Sequence, residues 1–260
     1  MRVLITNDDG IASAGLHALV AAFESVGETF VVAPERERSA TGHAITLHKP
    51  LRAHVVTVPG SSAHAWATNG TPADCVALGM LELLPARPDV VLSGINVGPN
   101  LARDLTYSGT VSGAMEGAIF GVPSIAISVG SFRNPTFTIA AAFAVELVRA
   151  ILLHGLPEDT LLNVNVPNLL PERIAGVAIT RQSAKRFISR LEKRVDPRGR
   201  TYYWLTGDPS PVEDLEGTDT WALSRGHISV TPITLDMTDD RAATAMRTWN
   251  LPWRPARDEP

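Results

Sequence analysis

The chain has 260 residues, 45% of them apolar, a formal net charge of −4, a pI near 6.0 and a single cysteine, Cys75. That length makes one large domain or two small ones, long enough for a substantial core, while the cysteine count excludes an internal disulfide framework and a cysteine zinc site. The bulk charge argues against a nucleic-acid polymer or an anionic membrane as partner.

Residues 3–5 (VLI) read as a strand buried on both faces. Leu16, Leu19, Val20 and Phe23 then fall at i, i+3, i+4, i+7, a helix packed on a sheet, with Gly27 as its expected C-cap. Residues 29–33 (TFVVA) read as a second buried strand stopped by Pro34, and 47–58 and 64–68 as further strands. Thr71-Pro72 is an N-cap followed by proline at the first helical position, opening a helix to about Leu84. Residues 89–92 (DVVL) read as a strand, 113–120 as helical, 124–129 as a strand, 135–154 as containing a long helix and 161–166 as a strand. The apolar stretch 137–153 carries Glu146 and Arg149, so it reads as a core helix and not a membrane span. Strands alternating with helices predict an α/β fold with a mostly parallel sheet covered on both faces. No basic leader precedes the first strand, so a cytoplasmic location is expected.

Near residue 181 the character changes. Residues 181–200 hold eight Lys/Arg against two acidic residues, followed by strand-like TYYWL and a loop rich in Asp, Pro and Gly. GHISVTPITLD then reads as a returning strand. Residues 182–226 are therefore expected to be an extension within a single domain spanning 1–260. Phe187, Ile188, Leu191 and 202–205 form an apolar stripe that a second copy of the chain would bury economically.

The unusual feature is TNDDG, residues 6–10: a core strand ends on two adjacent carboxylates, which repel each other and resist desolvation. In open parallel sheets, ligands bind at the carboxyl ends of strands. ERERSATGH (35–43) and SGINVGPN (93–100) follow two other strands and would meet TNDDG at that edge. Asp8 and Asp9 would then face Ser39 and Asn96, all oxygen donors suited to Mg²⁺ or Mn²⁺. The alternative for the same residues is a turn and a helix cap. His43 reads as a surface or packing residue. In YSGTVSGAMEG (107–117), Ser108, Gly109 and Thr110 lead into a helix rich in small residues, either an anion cradle or an N-cap with close helix–sheet packing.

TNDDGI, APERERSATGHAITLHKPLR, NGTPADCV, SGINVGPN and YSGTVSGAMEG, in that order, resemble the survival protein E (SurE) nucleotidases, and GHISVTPITLDMT resembles that family's closing strand. The resemblance implies a Rossmann-like three-layer fold with a C-terminal hairpin-like extension. It also implies a divalent-metal phosphomonoesterase acting on nucleoside 5′- and 3′-monophosphates and, in some members, on short polyphosphate. Asp8, Asp9, Ser39 and Asn96 match the family's ligands for one Mg²⁺ or Mn²⁺ per subunit, and assembly as dimers or tetramers with an exchanged C-terminal segment is expected. The chain departs from the family at Ala14, where proline is common, and at Ala40, where glycine is common. Ala102 and Arg103 stand where a glycine usually occurs, and one helix reads VSGAMEG where two alanines are usual.

The expected chemistry is metal-assisted attack of water on phosphorus. Asp8 or Asp9 takes the proton, Asn96 bridges ion and phosphate, and Ser108, Gly109 and Thr110 bind phosphoryl oxygens. The competing reading is a Mg²⁺-binding signalling receiver, which needs a phosphoacceptor aspartate where this chain has Ser93.

Overall fold

The computed structural model describes residues 1–187, 190–207 and 214–251. In chain order the strands are β1 (Arg2–Thr6), β2 (Glu28–Pro34), β3 (Ala53–Val56), β4 (His64–Thr68), β5 (Val90–Val97), β6 (Ser124–Val129), β7 (Thr160–Val166), β8 (Gly176–Ile179), β9 (Arg190–Val195), β10 (Thr201–Thr206) and β11 (His227–Thr234). The helices are α1 (Ala14–Glu24), α2 (Pro72–Leu78), α3 (Gly109–Ile119), α4 (Thr138–His154), α5 (Asp219–Ser224) and α6 (Asp240–Met246).

The described residues form a nine-stranded sheet in the order β3-β4-β2-β1-β5-β6-β7-β11-β8. From β4 to β7 neighbouring strands run parallel; β3 and β11 are antiparallel to β4 and β7. Alternation along β1 splits the core. Val3 and Ile5 pack with Leu16, Leu19, Phe23 of α1 and Ala144 and Val148 of α4, whereas Leu4 packs on the other face with Cys75 and Val76 of α2. The result is the expected three-layer, Rossmann-like α/β architecture.

The topology places a site. From β1 the chain moves outward to β2 on one side, and returns to pair β5 on the other side of β1. The crevice at such a reversal, beyond the strand carboxyl ends, is where open α/β sheets bind ligands. The loop after β1 carries Asn7, Asp8 and Asp9.

Four local expectations are corrected. Helix α1 is capped by Ser25, not Gly27; glycine is needed at 27 because a Cβ there would strike the Met1 carbonyl. The strand expected over 47–58 shrinks to β3. Asp74, the capping-box residue of α2, accepts from Thr46 N (2.9 Å) and Thr46 Oγ1 (2.6 Å), tying the preceding segment to a helix end instead of a sheet edge. The strand expected to stop at Leu92 runs on to Val97, so Asn96 sits on β5 itself, just past a register irregularity between Ser93 and Asn96. Pro34 closes β2 as its last residue instead of lying beyond it.

Strands β9 and β10 form a separate antiparallel pair. Leu191 (60%), Tyr203 (58%), Trp204 (58%) and Leu205 (71%) are exposed. Ile188 of the expected stripe lies outside the described residues. Helix α5 packs on β11, so the end of the expected extension belongs to the body.

Candidate active site

Asp8, Asp9, Ser39, Asn96 and Ser108 line one open cleft of about 630 Å³ at the carboxyl ends of β1, β2 and β5. The turn after β1, the loop after β2, the end of β5 and the N-terminus of α3 therefore meet at one edge of the sheet. Gly109 and Thr110 lie behind Asp8.

The local folding has identifiable causes. Asn7 Nδ2 donates to Gly10 O (3.0 Å) and Ser13 Oγ (2.7 Å), closing the turn after β1. Gly10 has φ +97°, a left-handed conformation that glycine adopts without strain. Arg38 N donates to Asp8 O (2.7 Å) and Arg38 Nη2 to Asn69 O (2.8 Å), seating the loop after β2 against the aspartates. His43 Nε2 lies 2.8 Å from Glu116 Oε2 and joins the same loop to α3.

Helix α3 presses its N-terminus onto Asp8. Gly109, Gly113 and Gly117, spaced by four, share one face. A Cβ at 109 would lie 2.7 Å from Asp8 Cβ, one at 113 would lie 2.8 Å from Thr6 Cγ2, and one at 117 would lie 2.8 Å from Val91 Cβ. Ser108 caps the helix, its Oγ accepting from Val111 N (3.1 Å). Thr110 Oγ1 donates to Asp8 Oδ1 at 2.5 Å, so this hydroxyl is committed to the carboxylate.

The electrostatics concentrate negative charge at the carboxyl end of β1. Asp8 is 4% exposed. Burial raises its pKa, opposed by the hydrogen bond from Thr110, while Glu37 adds to the rise. Asp9 is pushed up to about 6, first by burial and then by the charge of Asp8. Among the described residues neither aspartate has an ion-pair partner. Asn96 Nδ2 donates to Gly98 O (2.7 Å), which leaves Oδ1 as its uncommitted acceptor. Ser39 is exposed and its Oγ donates to Glu37 Oε1 (2.6 Å).

Two carboxylates, an amide oxygen and a hydroxyl, without a compensating protein cation, fit a hard divalent ion that prefers oxygen. Among the described residues no group of three or more His, Cys, Asp or Glu is placed to hold a metal. No described helix is long and apolar enough to cross a membrane.

Several lining residues escaped sequence reasoning: Glu37, Asn100, Tyr107 and Phe132. Asn100 lay within the quoted SGINVGPN. Its backbone is held by two buried asparagines of β7: Asn165 Oδ1 accepts from Asn100 N (2.8 Å), and Asn163 Nδ2 donates to Asn100 O (2.8 Å). Phe132 had no local signal.

A family model described as "Survival protein SurE" matches residues 3–189. The chain is 51% identical over 249 residues to the 5′-nucleotidase SurE of Heliobacterium modesticaldum, spanning 96% of this chain and 92% of that protein. It is 47% identical over 252 residues to the 5′-nucleotidase SurE of Geobacter metallireducens, spanning 96% and 98%. The crystal structure of the SurE protein from Aquifex aeolicus superposes with a TM-score of 0.83 at 44% identity, covering 95% of this chain and 98% of that one.

Proposed function

The chain belongs to the survival protein SurE family, and from that membership we infer that it is a metal-dependent phosphatase of nucleoside monophosphates. The observation that carries the assignment to this cleft is the pair Asp8, buried, and Asp9, half-buried, at the strand reversal without an ion-pair partner among the described residues.

Asp8, Asp9, Ser39 and Asn96 would hold one Mg²⁺ or Mn²⁺ per subunit. When bound, such an ion lowers the pKa of water and neutralises phosphate charge. Asp8, with Oδ1 fixed by Thr110, is the rigid anchor. Asp9 is half-buried and faces the cleft, so its carboxylate is the proton acceptor for the attacking water. The Ser108 hydroxyl, which lines the cleft, and the adjoining Gly109 N–H, at the first turn of α3, would bind phosphoryl oxygens, whereas Thr110 directs its hydroxyl and its backbone N–H at Asp8 and positions that carboxylate. Asn96 would contribute Oδ1 to the ion, its Nδ2 being engaged with Gly98 O (2.7 Å) and Val97 O (3.3 Å), and would have to release one of these to reach the phosphate.

The substrates are nucleoside 5′- and 3′-monophosphates, with short polyphosphate as an additional one, in the cytoplasm. The functional unit is a dimer or tetramer. A two-stranded ribbon alone is at best marginally stable, and β9–β10 carries large apolar side chains on both faces, so exchange of this hairpin with a second copy covers it.

Phosphate release from a panel of nucleoside 5′- and 3′-monophosphates and tripolyphosphate, with Mg²⁺, Mn²⁺ or EDTA, tests the reading. Metal-dependent release abolished by EDTA is expected; undiminished release in EDTA contradicts it.

A further inference from the structure

Phosphate and metal chemistry account for the acidic end of the cleft. They leave unexplained the two aromatic rings that line it, Tyr107 (47% exposed) and Phe132 (75% exposed). Isolated exposed apolar side chains are ordinary, so exposure alone carries nothing. The placement of Phe132 is what differs. A Cβ at Gly98 would collide with Phe132 Cε1 and fall 2.5 Å from both Cδ1 and Cζ, so the ring packs directly against the Gly98 backbone. Gly98 has φ +96°, and its carbonyl is the one that accepts from Asn96 Nδ2 at 2.7 Å. The ring is thus located through one glycine from a candidate ligand of the metal.

The loop that presents the ring is held at both ends. Gly130 N donates to Val166 O (2.8 Å), Ser131 Oγ to Arg133 O (2.8 Å), and Asn168 Nδ2 to Asn134 O (3.1 Å). Thr136 N and Oγ1 both donate to Asn168 Oδ1, at 2.9 and 2.8 Å. An apolar ring held in place at the mouth of a polar cleft is pre-organised to receive a flat apolar face.

We propose that Phe132, with Tyr107 on the same cleft, is the platform on which the nucleobase of the substrate stacks. The inference rests on the nucleotidase reading above. Beyond the acidic end the cleft is lined by Ala40, Val97, Pro99, Asn100 and Asp104 as well as the two rings. Asn100 Nδ2 is committed to Ser128 Oγ (2.8 Å) and Asp104 Oδ2 accepts from Phe187 N (3.0 Å), so recognition rests chiefly on the π-face, which every base presents. The enzyme therefore separates nucleotides from other phosphate monoesters but discriminates weakly among bases.

The test is kcat/KM for AMP and for ribose 5-phosphate, which lacks the base, in wild type, Phe132→Ala and Phe132→Trp. In Phe132→Ala the AMP to ribose 5-phosphate ratio falls about tenfold or more, mainly through KM for AMP, as stacking energies imply; Phe132→Trp restores it. A ratio unchanged in Phe132→Ala overturns the inference, as does a wild type that uses both substrates equally well; either leaves the phosphatase standing. A wild type that hydrolyses neither substrate with Mg²⁺ or Mn²⁺ overturns the nucleotidase reading and this inference with it.

Discussion

Thr110 Oγ1 and Asp8 Oδ1, 102 residues apart in sequence, are joined by a buried 2.5 Å hydrogen bond. The hydroxyl sits on α3, and Gly109 beside it has no side chain to keep the helix off the carboxylate. Asp8 is thereby held in one orientation, with a donor that favours its charged form against the cost of burial.

Replacing Thr110 by Val keeps the volume and removes that donor. A hydrogen bond to a charged group contributes about 1.5–3 kcal/mol, so metal-dependent activity should fall about ten- to hundredfold while Thr110→Ser stays near wild type. Steady-state kinetics across Mn²⁺ concentrations check this. A Val variant with wild-type kinetics would show that the bond does not support the site.

The shift of Asp9 sets a pH dependence. Its pKa is about 6 in the folded chain against an ordinary 3.8, so between those values the folded state holds the extra proton. Stability of the metal-free protein therefore falls as pH rises through that window and levels off above it. Asp9→Asn removes this contribution. In EDTA, thermal midpoints from pH 4 to 8 should show wild type losing stability relative to Asp9→Asn as pH rises. Parallel profiles would contradict the assignment.

Ala40 and Ala102 have φ of +55° and +54°, left-handed values that cost a non-glycine residue roughly 1–2 kcal/mol. Glycine relieves this strain but adds about 0.4–1 kcal/mol of unfolded-state entropy. Ala40 is exposed, so Ala40→Gly should stabilise by about 0.5 kcal/mol. Ala102 is fully buried, and losing its methyl costs about 0.8 kcal/mol, so Ala102→Gly should be close to neutral. Denaturant unfolding of the two variants checks the order; a destabilised Ala40→Gly would contradict it.

Much of this was legible. Residues 3–5, 29–33 and 124–129 are continuous apolar runs because parallel strands covered on both faces expose no polar side. Asp8 and Asp9 stood out because a core strand has no structural use for adjacent carboxylates. Ala40 and Ala102, read as departures from a resembling family's glycines, are two of the left-handed non-glycine residues. Other features carried no local signal. RLEKRV in β9 is too charged to read as a strand, since it pairs in a ribbon outside the main sheet. Residues 47–52 look strand-like but follow a segment anchored to Asp74. The Thr110–Asp8 bond and the seat of Phe132 on Gly98 are made by tertiary packing between distant segments, which no periodicity encodes.

The exposed ribbon predicts assembly through β9–β10. Charged replacements at Trp204 and Leu205, 58% and 71% exposed, should yield smaller species by light scattering while Mn²⁺ still binds. An unchanged molecular mass would refute the hairpin as the assembly element.

Calorimetric titration of Mn²⁺ into EDTA-stripped protein, run alongside phosphate release from AMP, compares wild type with Asp8→Asn and Asp9→Asn. Each amide keeps the side-chain volume and removes a charged oxygen ligand, which relieves carboxylate repulsion in the metal-free state. Wild type should bind a single Mn²⁺ per chain. Each variant should lose most of that affinity and orders of magnitude of activity, with a metal-free thermal midpoint equal to or above wild type. Unchanged Mn²⁺ binding and full activity in both variants would contradict the account.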